Sequence, residues 1–230
     1  MQHIGIVGCS AEGAALCYRT ICLEGPAYLK APHAHPEVSM HTQSFAKYVA
    51  FLDRSDWRGV ADLMLESATK LANAGADFLL SPDNTIHGAM SFVEPASPLP
   101  WLNIAATVAE KASERGCRRV GLLGTRWLIR SETYPDQLRA RNIEFNRPSE
   151  DEREEIHRII MEELVAADFK PQSIAYCQRA IQRMKDHGCD AVVLGCTELP
   201  LILNDSNSPL PTLDSTRLLA HAALQRAIHG

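Results

Sequence analysis

The 230-residue sequence contains no apolar run approaching the roughly 18 residues needed to span a bilayer, so membrane insertion is not expected. It contains no strongly basic stretch, and its formal net charge is −5, so nucleic acid is not an expected partner. No CxxC pair occurs among the seven cysteines, at positions 9, 17, 22, 117, 177, 189 and 196, which argues against structural zinc, and no metal site is expected. The glycine-bearing turn Gly8-Cys9-Ser10-Ala11 lacks the Gly-Lys-Ser/Thr ending of a phosphate loop. The opening "MQHIGIVGCS" lacks the basic start and long apolar stretch of a signal peptide and reads as a strand. The cysteines are therefore expected as reduced thiols in a cytoplasmic protein, most of them acting as small buried hydrophobes.

Apolar residues make up 46% of the chain, an ordinary globular share that suffices for one large domain or two small lobes. Short apolar runs alternate with longer amphipathic ones. "HIGIVG", "EVSMH", "DFLL", "WLNIA", "RRVGLLGT" and "DAVVLG" read as strands. Between them, a helix capped by Asp56 runs to Gly75 and carries Val60, Leu63, Met64, Leu71 and Ala72 largely on one stripe. Further helices are predicted from "WLNIA" to about Gly116, over Glu150–Ala167, over "QSIAYCQRAIQRMKDHG", and from near Asp214 to the C-terminus. The order predicts an α/β fold with mainly parallel sheets flanked by helices.

The pattern occurs twice. "IGIVGCS" matches "VGLLGTR", and "AGADFLLSPDNT" matches "HGCDAVVLGCTE", at offsets of 116 and 113 residues. Any two α/β units look alike, but two matched pairs at nearly constant offset point to an internal duplication. In this register Asp77 answers Asp190, Asp83 answers Cys196, Asn84 answers Thr197 and Thr85 answers Glu198. Two similar lobes with pseudo-two-fold symmetry are expected: residues 1–103 with 214–230, and residues 104–213. Ligands of parallel sheets collect outside the C-terminal strand ends, so a cleft between the lobes is the expected active site, with Asp83 and Cys196 on opposite walls.

At this point "PDNTIH" and "GCTELP" resemble the two signature motifs of the aspartate/glutamate racemase superfamily. Members carry a Cys-Asn-Thr triplet in the first lobe and Gly-Cys-Thr-Glu in the second. Here the second is intact, as Gly195, Cys196, Thr197 and Glu198, while the first keeps Asn84, Thr85 and His87 but has Asp83 in place of cysteine. "IGIVG", "SMHTQSF", "LLGT" and "LPTLDSTRLLA" also fit, so the resemblance covers nearly the whole chain and is strongest to the aspartate racemase branch, which includes members with a single cysteine. It implies a two-lobed fold, no cofactor, a small amino-acid or carboxylate substrate and a homodimer. The family's Gly-Gly-Met-(Ser or Gly) loop is Gly8, Cys9, Ser10, Ala11 here, and Ser10 with the turn amides can still receive a carboxylate, or form a plain strand–helix turn. The resemblance further implies substrate contacts for Asn84, Thr85 and Thr197, for Thr42 and Gln43 beside the distal substrate group, for Thr125 and Arg126 at the matching strand end, and for Lys170 at a side-chain carboxylate. Residues of the type of Lys170, Arg126, Arg130 and Arg153 are more often solvated surface charges than ligands.

Racemisation requires one group to remove the Cα proton and another to deliver one on the opposite face. A thiolate suits the first task, and Cys196, at an expected strand-to-helix turn, would gain from a helix dipole. Thr197 and Glu198 are expected to cap that turn, and Glu198 to position a substrate ammonium. The bland alternative is a buried structural thiol. For Asp83 three readings stand: an acid/base whose pKa burial raises, a contact to a substrate cation, or a helix N-cap. His87, one turn on, either orients Asp83 or satisfies the core. The expected activity is a cofactor-independent amino-acid racemase using Cys196 and Asp83. The alternatives are a single-thiol enzyme of the same superfamily, such as a malonate-type decarboxylase or an isomerase, and a non-catalytic carboxylate-binding paralogue.

Overall fold

The computed structural model describes residues 1–230 and contains two four-stranded sheets in which every paired strand is parallel. The chain divides into two compact units, Met1–Ile104 with Thr216–Gly230, and Ala105–Ser215.

The first unit is built on β1 (Ile4–Gly8), β2 (Val38–Thr42), β3 (Phe78–Leu80) and β4 (Trp101–Leu102), in the order β2-β1-β3-β4. Its helices are α1 (Ala11–Leu29), α2 (Phe45–Leu52), α3 (Trp57–Asn73), the short α4 (Met90–Val93) and the C-terminal helix Ser215–His229. Asp56 caps α3 by accepting the Gly59 N–H at 2.9 Å, and Gly75, with φ +92°, ends the turn that follows it. Strands β1 and β3 are apolar and fully buried because both faces are covered, whereas the edge strand β2 is mixed and part-exposed. Ile4, Ile6, Phe78 and Leu80 pack on α1 and on Leu219 and Leu224 of the C-terminal helix, while Val7 and Leu79 pack on Ala68 and Leu71 of α3.

The second unit comprises α5 (Ile104–Glu114), β5 (Arg119–Leu123), α6 (Arg126–Arg130), α7 (Thr133–Arg139), β6 (Glu144–Asn146), α8 (Glu150–Arg158), α9 (Pro171–Asp186), β7 (Ala191–Leu194) and β8 (Thr212–Asp214), with the sheet ordered β6-β5-β7-β8. The C-terminal helix is α10. Ile156, Ile159, Ile181, Val192 and Leu194 share one core cluster with Cys177 and Cys196.

The two sheets have the same strand order, each a copy of the other four strands later, as expected of a duplication. A smaller feature is repeated with them. Oδ2 of Asp77 accepts the His3 N–H at 2.6 Å, and Oδ2 of Asp190 accepts the Arg118 and Arg119 N–H groups at 2.6 and 3.0 Å. In return the Asp77 N–H donates to His3 O and the Asp190 N–H to Arg119 O. Each aspartate thus clasps the start of its unit's central strand.

Several elements differ from the sequence reading. "WLNIA" pairs only at Trp101 and Leu102, and Ile104 already opens α5. The Glu150–Ala167 segment is α-helical only to Arg158, then forms a π turn over Ile159–Glu163 and a 3-10 turn over Leu164–Ala166. Helices α1, α2, α6 and α7 and the short strands β6 and β8 carry no clear periodic signal; in α1, an unbroken helix, Gly13, Gly25 and Pro26 obscure the pattern. No helix is long and apolar enough to cross a membrane.

Candidate functional site

Each unit gathers its share of the expected residues at the carboxyl edge of its own sheet. In the first unit, β1 leads into Cys9 and Ser10, β2 ends at Thr42 followed by Gln43, and β3 leads into Ser81–Thr85. Ser10 is the N-cap of α1, its Oγ accepting the Gly13 N–H at 3.3 Å. Thr42 pairs with Gly8, and a Cβ on Gly8 would meet Thr42 Oγ1 at 2.4 Å, so glycine lets the threonine side chain close over the strand end. Gln43 is buried, with Oε1 accepting from Lys47 Nζ at 3.1 Å and its amide helping to hold the Glu66 carboxyl below its usual range.

Asp83 is half-buried, and its Oδ1 accepts the Thr85 N–H at 3.1 Å, which turns the chain into the 3-10 segment Thr85–Ala89. The bond closes an Asx turn with one oxygen of the carboxylate and is not a helix cap: the N-cap of this segment is Asn84, which makes no side-chain cap bond. Asn84 and Thr85 are buried beside it. His87 serves the core: its Nε2 meets the Ser81 carbonyl at 3.0 Å, and burial pushes its pKa down to about 4. The ring is accordingly neutral near pH 7, with the proton on Nε2 donated to Ser81.

In the second unit, Thr125 caps α6 as Ser10 caps α1, its Oγ1 accepting the Leu128 N–H at 3.3 Å. Beyond β7 come Gly195, Cys196, Thr197 and Glu198. A Cβ on Gly195 would lie 2.6 Å from Leu128 Cδ2 and 2.9 Å from Leu123 O, so the turn that presents Cys196 requires glycine. The helix expected after Cys196 is a single 3-10 turn, Leu199–Leu201, with Pro200 inside it, too short to supply the dipole invoked for the thiolate. The Glu198 side chain does not cap this turn. Instead its Oε2 accepts from Cys196 Sγ at 2.9 Å and from Thr197 Oγ1 at 2.8 Å. The thiol, the hydroxyl and the carboxylate are all buried, and a carboxylate in this position can accept the thiol proton.

The remaining thiols differ in kind. Burial pushes Cys177 up to about 12 and Cys189 up to about 11, and it also raises Cys22 and Cys117, so these thiols stay protonated near neutral pH. Lys170 precedes α9 and is spent on Asp168 and Glu163, at 3.2 and 3.5 Å, which raise its pKa. Arg126 and Arg130 pair with Glu154 near the surface, and Arg153 donates to Pro148 O. No group of three or more His, Cys, Asp or Glu side chains is arranged to hold a metal ion.

The sequence reading passed over Tyr48. This phenol, on α2, is fully buried, and burial together with the charges of Cys9 and Asp83 pushes its pKa far up. No motif marks it; only the turn from β2 into α2 brings it to the carboxyl edge.

Comparison with known proteins accords with this arrangement. The sequence matches the Asp/Glu/hydantoin racemase family over residues 6–223. It is 25% identical over 168 residues to the broad specificity amino-acid racemase RacX of Bacillus subtilis (strain 168), covering 70% of this chain and 69% of that one. The fold matches the crystal structure of a candidate Asp/Glu racemase from Yersinia pestis with a TM-score of 0.89 at 30% identity, over 100% of both chains. It matches an aspartate racemase homologue from Pyrococcus horikoshii OT3 with a TM-score of 0.83 at 28% identity, again over 100% of both chains. With the family match spanning most of its length, this chain is a member of the Asp/Glu/hydantoin racemase family.

Proposed function

We propose that the chain is a cofactor-independent amino-acid racemase of the aspartate/glutamate type, an isomerase acting in the cytoplasm as a homodimer. The observation that carries this reading is the buried thiol of Cys196 at a strand tip, 2.9 Å from the Glu198 carboxylate. In the reaction envisaged, Glu198 takes the thiol proton and the sulfur removes the Cα hydrogen of the substrate. Asp83, in its protonated form, returns a proton to the opposite face of the resulting carbanion. Before the next turnover Glu198 releases its proton to solvent and Asp83 takes one up, so no net proton is consumed. This reading requires both strand tips to reach one substrate. Ser10, Thr42, Gln43, Asn84, Thr85, Thr125 and Thr197 hold the substrate's polar groups, and Lys170 exchanges a protein carboxylate for the substrate's distal one.

Incubation with L- and D-aspartate and glutamate in D₂O tests the reading, with the Cα hydrogen followed by NMR. Exchange with inversion is expected, and is expected to vanish in Cys196→Ala. Absence of exchange with every amino acid tried would sink it. The single thiol paired with a carboxylate favours one second reading, a malonate-type decarboxylase in which Cys196 protonates the carbanion left by CO₂. That enzyme would release CO₂ from a substituted malonate and leave amino acids unexchanged. Ligand binding without either turnover would indicate a carboxylate-binding paralogue.

A further inference from the structure

Lys170 is held by two carboxylates of unlike kind. It stands at the tip of the hairpin formed by α8 and α9. Glu152 and Arg183 pair at the base of this hairpin, whereas His157 Nδ1, further along α8, accepts the Arg126 N–H at 3.4 Å, just past the end of β5. The tip, residues 159–170, therefore lies at the carboxyl edge of the second sheet, the edge at which β7 leads to Cys196. Within it Glu163 is 3% exposed and fixed: it accepts from Ser173 Oγ at 2.6 Å and from Arg158 Nη1 at 2.8 Å, and stands 3.5 Å from Lys170 Nζ. The Ser173 bond, with Arg158 and Lys170, holds its carboxyl below the usual range. Asp168 is held differently. Its side chain is 54% exposed and pairs with Lys170 at 3.2 Å.

The turn that brings Asp168 there is a costly one. Ala167 sits at φ +56°, in the left-handed region that disfavours any side chain, and the Asp168 N–H closes the turn on Glu163 O at 2.9 Å. The charge is unbalanced as well. Arg158 and Lys170 face four carboxylates, those of Glu155, Glu162, Glu163 and Asp168. A further carboxylate is favoured here only if one of these gives way.

We propose that Asp168 is a specificity-determining residue: it occupies the Lys170 ammonium until the distal carboxylate of an acidic amino acid displaces it. The inference rests on the racemase reading above and assigns which protein carboxylate leaves. Asp168 turns into water at small cost, because an exposed ion pair is weak, whereas Glu163 is buried and stays with its Ser173 and Arg158 donors. Asp168 thus acts as an internal competitor. It lowers affinity for acidic amino acids and spares neutral ones, which make no demand on Lys170.

Asp168→Asn is the test, with steady-state Cα exchange in D₂O followed for aspartate, glutamate and alanine. KM for the acidic amino acids should fall about twofold to fivefold, the range an exposed ion pair allows, with kcat and the KM for alanine changed less. In a Lys170→Met background the same substitution should give no such fall, which a general loss of negative charge would still produce. An unchanged KM for acidic amino acids in Asp168→Asn, or an equal fall in both backgrounds, would overturn the inference and leave the racemase reading intact. So would exchange confined to alanine in the wild type and in Asp168→Asn alike. Failure of the wild-type chain to exchange any amino acid would instead overturn that reading, and the inference with it.

Discussion

Sγ of Cys196 and Oε2 of Glu198 lie 2.9 Å apart, and the same carboxylate oxygen accepts from Thr197 Oγ1 at 2.8 Å. A short turn thus sets a carboxylate against the sulfur, which the proposed reaction uses as its base, where an extended helix would have offered only a dipole. Glu198→Gln keeps an acceptor for both donors but cannot take the proton. We expect it to lower kcat for Cα exchange by about 10²-fold, within the range for removing a positioned general base, with substrate affinity changed less. Exchange kinetics in D₂O, with ligand-induced stabilisation as the binding readout, separate the two. An undiminished kcat would assign Glu198 to holding the turn alone.

Asp83 both closes the Asx turn at Thr85 and is the proposed second acid/base. Asp83→Asn preserves the Oδ1 acceptor for the Thr85 N–H, at 3.1 Å in the native chain, and removes the titrating proton. Its melting temperature should stay close to that of the wild type while racemisation is lost. Asp83→Cys should restore racemisation relative to Asp83→Asn, since a thiol can carry the proton. Full activity in Asp83→Asn would leave the residue with its turn alone.

Gly195→Ala places a methyl 2.9 Å from the Leu123 carbonyl, a backbone atom that cannot turn aside. A loss of about 1–3 kcal/mol is expected from the forced shift, together with a fall in exchange rate as Cys196 moves. Denaturant unfolding and the exchange assay, run on the same preparation, check both.

His87 titrates near 4 in the folded chain against an ordinary value of 6.5. Its pKa is depressed by burial, so its contribution to stability is complete above about pH 6.5 and is lost as the pH falls through 4. The melting temperature should decline over that interval. In His87→Gln, which keeps a donor for the Ser81 carbonyl, the decline should be shallower. Thermal melts between pH 4 and 7 measure the difference.

The α/β order, the duplication and the Cys196 motif were legible because they rest on local signals: apolar runs, helix caps and a repeated motif. The long-range work of Asp77 and Asp190 was visible only as a matched pair of letters; that each clasps the start of a central strand required the fold. Short edge strands such as Glu144–Asn146 gave no signal, since three residues carry no alternation. The helix expected after Cys196 failed at Pro200, where a brief 3-10 turn won over the supposed α-helix. Tyr48 was illegible altogether, because its nearness to Cys9 and Asp83 exists only in the fold.

The C-terminal helix has a consequence for how the chain is made. Residues 216–230 complete the core around Ile4 and Ile6, whereas residues 105–215 form their unit without interruption. On the ribosome the first unit therefore emerges early and must wait for its last helix, while the second has its full complement of residues sooner. The half of the protein synthesised first is the half finished last, and truncation near the C-terminus would expose the earliest strands.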